Sequence, residues 1–436
     1  MRLTELAGKA VVVWGYGREG RAAVLALDGV AVKSLAVVDD QGADGALSGA
    51  DADAALAAAD VVVKSPGISR YDARVVALQQ AGVRITGGSA LWMAAHHDQT
   101  VAVTGSKGKS TTATLIHHLA RAVGIENSLG GNMGLPLLDL EPAERYVVEL
   151  SSYQCSELTA SPQIAVLTSL FPEHLNWHGS AERYFADKLN LVEHDPNTVV
   201  FNALDPTLTL AVAATPTRAR SVPVGGPDGP HLSESAFAVG SAELFDRSVS
   251  PLRGEHNAIN VCLALAAVQA LGVDLFSHRD ELATGLGSFE PLPHRLGVVP
   301  DPAGRLTFVD DSLSTAPQAA VAALSAFPDG SLCLIVGGQD RGVDYAPLHD
   351  HLAAAERPVT VIGIPDSGPR ILSALDGLPN VHGVLVADLD EAVALARRSL
   401  PSGGTVLLSP AAPSYGIYRD FQARSAAFVA AIAATA

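Results

Sequence analysis

Residues 101–112 read VAVTGSKGKSTT, and the run contains the parts of an anion cradle. Gly105 and Gly108 let the backbone turn tightly, Lys109 brings a positive charge on a long arm, and Ser110 and Thr111 bring hydroxyls. Backbone N–H groups at the start of a helix point at an anion, and the helix dipole adds to the attraction. In a phosphate-binding loop of this kind the lysine reaches the terminal phosphates of a nucleotide and the hydroxyl holds Mg²⁺. Gly105, Ser106, Lys107 and Gly108 would wrap the phosphates, Lys109 would meet them, and Ser110 or Thr111 would serve the metal. Two residues separate the glycines here, where the usual loop has four. A glycine-rich turn without a ligand is the plain alternative, but it leaves the clustered lysine and hydroxyls unexplained.

A second glycine run, Gly15-Tyr16-Gly17-Arg18-Glu19-Gly20, follows the apolar stretch Ala10 to Trp14 and precedes an Ala-rich segment. G-x-G-x-x-G between a strand and a helix seats a pyrophosphate, and acidic residues about 20 positions later contact a ribose. Asp39 and Asp40 stand at that distance. By itself this pattern fits an NAD-dependent oxidoreductase as well as any other nucleotide binder. Lys64-Ser65-Pro66-Gly67 closes a third apolar run.

Glu149 sits in YVVELSS, where burying an unpaired carboxylate is costly, and the C-terminal end of a strand is where α/β enzymes place metal ligands. His174 could bind metal or phosphate or be structural. Lys188 alone reads as a solvated surface charge. Asn132, in a flexible Gly130–Gly134 turn, could reach a ligand. Asn257 and Asn260 share a helix face and could grip an adenine or bond within the core. Arg295, between two prolines and a new strand, could clamp a phosphate at a domain junction.

These residues must be held by alternating strands and helices. Strands are expected at 101–103, 34–38, 60–63, 146–150, 164–169, 306–309, 332–336, 359–362, 381–386 and 405–408. Helices are expected at 110–123, 181–192, 252–271 and 318–326, with Pro317 in the first turn of the last. The pattern is α/β with parallel sheets. The 436 residues suffice for two or three domains, and 48% of them are hydrophobic. A formal net charge of -17 argues against nucleic acid as a partner. Cys155, Cys262 and Cys333 have no metal spacing and predict no disulfide framework, which fits a cytoplasmic setting. No signal peptide or membrane-spanning run is visible, so no membrane insertion is expected.

In order, GYGREG, KSPG, TGSKGKSTT, GGNMG, ELSSYQ, EHL, ADKLNL, GEHNAIN, LPHR, DDS, GGQDRG and SPAAPS resemble the Mur ligase family over the whole chain. The resemblance is greatest to the branch that joins glutamate to UDP-N-acetylmuramoyl-L-alanine in peptidoglycan synthesis. It implies three domains: a Rossmann-like UDP-substrate domain (1–97), a central P-loop ATPase domain (98–297) and a Rossmann-like amino-acid domain (298–436). It implies ATP and Mg²⁺, with Asn257, Asn260, Arg295 and Asp311 added to the ATP site. Glu149 and His174 become metal ligands beside Ser110, and Lys188 becomes a carbamylated lysine whose carboxylate orients the metal. The catalytic set would be Lys109, Glu149, His174 and Lys188. Gly15, Tyr16, Gly17, Arg18, Asp39, Ser65, Pro66, Gly67, Asn132 and Ser152 would hold the UDP substrate, which displaces NAD. Thr315, Arg341, Ser414 and Phe421 would hold glutamate. The reaction implied is attack of the alanyl carboxylate on ATP, giving an acyl phosphate, then attack by the glutamate amine. A cytoplasmic monomer serving cell-wall biogenesis and cell division is implied.

Three positions depart from the family pattern. Lys107 stands where Asn is usual, Leu313 where the D-glutamate branch has a lysine, and Arg341 where it has a second lysine. An Arg fork and a Lys point charge hold a carboxylate differently. The DSLSTAP pattern is similar to a divergent branch that adds L-glutamate, so L-glutamate is favoured over D-glutamate. A Rossmann oxidoreductase and a non-catalytic UDP-sugar sensor are the alternatives of other classes; the first leaves the 105–111 loop without a role.

Overall fold

The computed structural model describes residues 1–435. It divides into two compact units, one of Met1–Ser250 with Ala258–Phe289, the other of Pro251–Asn257 with the chain from Glu290 onward.

The first unit holds two parallel sheets. Strands β1 (Ala10–Trp14), β2 (Ser34–Val38), β3 (Val61–Lys64) and β4 (Arg84–Thr86) lie in the order β2-β1-β3-β4. Val11 and Val13 face one core while Val12 and Trp14 face the other. Both faces are covered, so the strand is apolar throughout rather than alternating. The order reverses at β1, and the loops after β1 and β3 lie where α/β sheets bind ligands. Gly20 permits the close packing that follows: a Cβ there would stand 2.0 Å from the Gly15 carbonyl oxygen.

The second sheet has six parallel strands: β5 (Thr100–Thr104), β6 (Ser128–Gly131), β7 (Tyr146–Glu149), β8 (Ile164–Leu167), β9 (Thr198–Asn202) and β10 (Arg220–Val224), ordered β10-β9-β8-β5-β7-β6. Its switch lies at β5, so the loops after β5, β7 and β8 emerge side by side. Gly130 and Gly131 finish β6 and are not part of a flexible turn; ladder pairing with Val148 and Glu149 holds them. A small antiparallel sheet, β11 (Pro230–Leu232), β12 (Ala236–Val239) and β13 (Ala242–Asp246), carries no motif that announced it.

The second unit contains β14 (Gly297–Val299), β15 (Leu306–Asp310), β16 (Leu332–Val336), β17 (Val359–Gly363), β18 (Val381–Leu385) and β19 (Gly404–Leu408), ordered β14-β15-β19-β16-β17-β18. All pairs are parallel except β14 with β15. Leu332, Leu334 and Val336 face one core, Cys333 and Ile335 the other. Pro317 occupies the first turn of the helix Pro317–Ser325. The three cysteines are free and buried. Among the described residues no helix is long and apolar enough to cross a membrane.

Candidate active site

The loop between β5 and the helix Lys109–Ala122 is shaped by its glycines. Gly105 has φ +147° and Gly108 φ +87°; a Cβ on Gly105 would lie 2.0 Å from Thr168 Oγ1, and one on Gly108 2.6 Å from Asn260 Oδ1. The segment after β8 latches the loop: Ser106 N–H donates to Ser169 O at 2.9 Å and Lys107 N–H to Ser169 Oγ at 2.9 Å. Thr168 Oγ1 donates to Lys107 O. Ser106 Oγ lies 2.8 Å from Tyr184 Oη. Lys109 Nζ donates to the carbonyls of Gly105 (3.0 Å) and Ser106 (3.1 Å). Lys107 pairs with Glu173 at 2.9 Å. Burial pushes the Glu173 carboxyl up, but Lys107 and Lys109 outweigh it and the net direction is downward.

Glu149, ending β7, is buried at 2% exposure. Its Oε1 accepts from Asn132 Nδ2 at 2.8 Å, and its Oε2 has no hydrogen-bond partner. A buried carboxylate oxygen without a donor is costly unless a cation meets it. Lys188 corrects the surface reading: it is 2% exposed, its Nζ donates to Gly105 O at 2.8 Å, and the Tyr184 ring lies 4.9 Å away. Burial first, then the Lys109 charge, lowers its pKa to about 7. One lysine in an amphipathic helix carries no burial signal, so only the family resemblance set Lys188 apart. His174 adopts φ +54° before the short helix Leu175–His178, with its ring 5.2 Å from Tyr153. Partial burial, then the neighbouring lysines, lowers its pKa, while Glu173 opposes; His174 is exposed, so solvent screens part of that effect. Among the described residues no three His, Cys, Asp or Glu side chains cluster as a metal site.

A cavity of about 310 Å³ opens between the loops after β1, β3, β6 and β7. Arg18, Ser65, Pro66, Gly67 and Asn132 line it, joined by Glu19, Tyr153 and Gln154, which were not singled out from sequence. Gln154 Nε2 donates to Glu19 Oε1 at 3.2 Å and Ser89 Oγ at 2.9 Å. Burial, then Asp139, raises the Glu19 pKa. Gly15, Tyr16, Gly17, Asp39 and Ser152 do not line this cavity. Asp39 holds the glycine loop instead: it accepts from Tyr16 N–H at 2.7 Å, Gln41 N–H at 2.9 Å and Ala43 N–H at 3.4 Å. Ser65 Oγ donates to Gly15 O at 2.8 Å. Ser152 Oγ is bonded to His178 Nε2 at 2.9 Å.

The helix Glu255–Ala270 carries both asparagines; Asn260 Oδ1 accepts from Thr112 Oγ1 at 3.2 Å, and Asn257 Nδ2 donates to Arg253 O at 2.8 Å. In the second unit Asp311 is buried and accepts from Ser409 Oγ at 2.7 Å, and burial raises its pKa to about 7 against that bond and the Arg295 charge. Ser414 is buried, Arg341 is exposed with its Nε donating to Gln339 Oε1 at 3.1 Å, and the Phe421 ring lies 5.6 Å from His294. Arg424, which carries no sequence motif, is fully buried and donates to Ser312 O (2.8 Å), Ala412 O (3.0 Å) and Gly337 O (3.3 Å), tying together the loops after β15, β16 and β19.

Comparison with known proteins places this geometry. Residues 103–268 match the Mur ligase middle domain. The chain is 52% identical over its full length to the whole of a UDP-N-acetylmuramoyl-L-alanine--L-glutamate ligase from Salinispora tropica. It is 42% identical, over 98% of the chain and 96% of the relative, to one of the same name from Xanthomonas axonopodis pv. citri. Among solved structures it is similar to MurF from Acinetobacter baumannii (TM-score 0.64, 18% identity, 98% of this chain and 90% of that one). It is also similar to MurF from Thermotoga maritima in complex with ADP (TM-score 0.56, 18% identity, 100% and 97%). The structural likenesses carry the three-domain fold, and the full-length identities carry the kinship: the chain belongs to the Mur ligase family.

Proposed function

We propose that the protein is an ATP-dependent ligase that forms an amide between the alanyl carboxylate of UDP-N-acetylmuramoyl-L-alanine and the amine of L-glutamate, in peptidoglycan synthesis. The observation that carries this is the convergence at Gly105: a glycine loop opening a helix, Lys109 and the buried Lys188 on one carbonyl, and the buried Glu149 with an oxygen left over. The names of the full-length relatives support the substrates and the L-handed amino acid.

In this account residues 1–97 bind the UDP substrate, 98–297 bind ATP and 298–436 bring glutamate. Arg18, Asn132 and the Ser65-Pro66-Gly67 turn bind and orient the UDP substrate in the cavity, and Asp39 keeps the glycine loop in shape. Lys109 and the loop N–H groups neutralise charge on the transferring phosphoryl group, where positioning and electrostatics supply most of the catalysis. Ser110, Glu149, His174 and carbamylated Lys188 would hold Mg²⁺, which supplies Lewis-acid neutralisation of phosphate oxygens when bound. Glu149 Oε2 fits a cation, and the low Lys188 pKa fits a neutral amine able to take up CO₂. By the family resemblance Asn257, Asn260, Arg295 and Asp311 serve ATP, and Thr315, Arg341, Ser414 and Phe421 serve glutamate. The protein works as a monomer in the cytoplasm.

The test is phosphate release from ATP with Mg²⁺ and the UDP substrate, with L-glutamate and D-glutamate run side by side. Turnover with L-glutamate alone is expected. Turnover with D-glutamate alone would make the Leu313 and Arg341 departures neutral. No turnover with either would favour another amino acid or the sensor.

A further inference from the structure

Three candidate metal ligands, Glu149, His174 and Lys188, come from three separate segments, and a hydrogen-bond chain of their neighbours, buried from Ser152 to Asp187 and half-buried at Tyr71, links those segments. Ser152, three residues after Glu149, meets His178 Nε2 at 2.9 Å. His178, four residues after His174, meets Asp187 Oδ2 through Nδ1 at 2.6 Å. Asp187 precedes Lys188 on the helix Ala181–Leu189, and its Oδ1 accepts from Tyr71 Oη at 2.9 Å. Ser152 is 2% exposed, His178 0% and Asp187 4%.

A carboxylate only accepts, so His178 donates its Nδ1–H to Asp187, and its Nε2 shares a hydrogen bond with the Ser152 hydroxyl. The His178 ring is therefore fixed at both of its nitrogens. Charge-assisted bonds to a carboxylate are short and about twice as strong as neutral ones. Adjacent residues on a helix point about 100° apart. Fixing Asp187 therefore fixes the rotation of its helix and the direction in which Lys188 leaves it. At the other end, Ser152 fixes the segment leaving β7, and His178 fixes the short helix that starts at His174. The Ser152–His178–Asp187 order matches that of a nucleophilic triad, but Ser152 is buried and does not line the cavity.

We propose that His178 and Asp187 are positioning residues whose hydrogen-bond chain from Ser152 to Tyr71 holds the segments of Glu149, His174 and Lys188 in one constellation. This deepens the ligase assignment and rests on it.

The test uses Mn²⁺ as a spectroscopic stand-in for Mg²⁺. Mn²⁺ binding is followed by electron paramagnetic resonance with a non-hydrolysable ATP analogue, and the Lys188 carbamate by ¹³C NMR in ¹³C-bicarbonate. Asp187→Asn and His178→Gln are expected to weaken Mn²⁺ binding, by up to the roughly 10–100-fold that loss of a direct outer partner of a metal ligand costs, and to lower carbamate occupancy. Tyr71→Phe, which removes one bond and keeps the ring, should shift both readouts the same way by less, and it serves if the other variants fail to fold. A purely structural role would lower thermal stability and leave both readouts at wild-type values in folded protein, and that result would overturn the proposal. If Glu149→Gln also bound Mn²⁺ like wild type, the metal assignment itself would fail, and the proposal with it.

Discussion

Lys109 and Lys188 share one acceptor: their ammonium nitrogens stand 3.0 and 2.8 Å from the carbonyl oxygen of Gly105. Two cations on one carbonyl repel, and Lys188, the buried one, gives way. Its pKa lies at about 7 because burial disfavours the charge and Lys109 adds to the effect. The same carbonyl thus joins the proposed phosphate loop to the lysine proposed for carbamylation.

Lys188→Met should abolish turnover without loss of fold. In the unmodified protein the native state binds fewer protons than the unfolded state between about pH 7 and the ordinary lysine value of 10.5. Native stability therefore rises with pH across that window. The variant should melt above wild type at pH 7, with the gap closing toward pH 10; a lower melting temperature at pH 7 would refute the buried-ammonium account. Lys188→Ala should likewise be inactive, and elevated bicarbonate should not rescue it.

Glu149→Gln keeps the shape and the Asn132 contact while removing the charge. Turnover at saturating Mg²⁺ should fall about 10²–10³-fold, the scale of losing one stabilising group at a reacting phosphate. The melting temperature of the metal-free variant should match or exceed wild type, since an uncompensated buried oxygen is relieved. A metal-free variant that melts well below wild type would show that Oε2 is not under strain.

Glu173 ionises below its ordinary value of 4.5 because Lys107 and Lys109 outweigh its burial. A depressed carboxyl stabilises the fold above pH 4.5, and that contribution disappears as pH falls through the folded value. Glu173→Gln should therefore flatten the acid limb of the stability curve. Chemical denaturation at a series of pH values measures this, and an unchanged limb counts against the Lys107 pair.

Asp311 behaves oppositely, with its pKa raised to about 7 by burial. The native state keeps a proton that the unfolded state releases near 3.8, so wild-type stability declines between about pH 4 and 7 and is level above. Asp311→Asn should equal wild type at pH 4 and exceed it by a constant margin at pH 8. A margin that does not depend on pH would mean that Asp311 stays ionised.

Arg341→Lys should raise the KM for L-glutamate about tenfold or more, with the KM for ATP unchanged, because a point charge replaces a planar fork. Steady-state kinetics with each substrate varied in turn separates the two. Equal KM values for glutamate would remove Arg341 from the amino-acid site.

The strands were legible because sheets covered on both faces need continuous apolar runs, such as 146–149 and 332–336. The glycine loops were legible because a left-handed backbone bend admits few other residues. The small sheet at 230–246 was not, since short antiparallel strands give no long periodic signal. Residue types and their order determined the candidate phosphate loop, the family resemblance and the list of candidate ligands. Only the tertiary structure decided that Lys188 is buried, that Asp39 supports its own loop and that Ser152, His178, Asp187 and Tyr71 form one chain. Burial and hydrogen-bond partnership depend on which distant segments meet, as Tyr71 and Asp187 do across 116 positions of sequence, and local spacing does not encode that meeting.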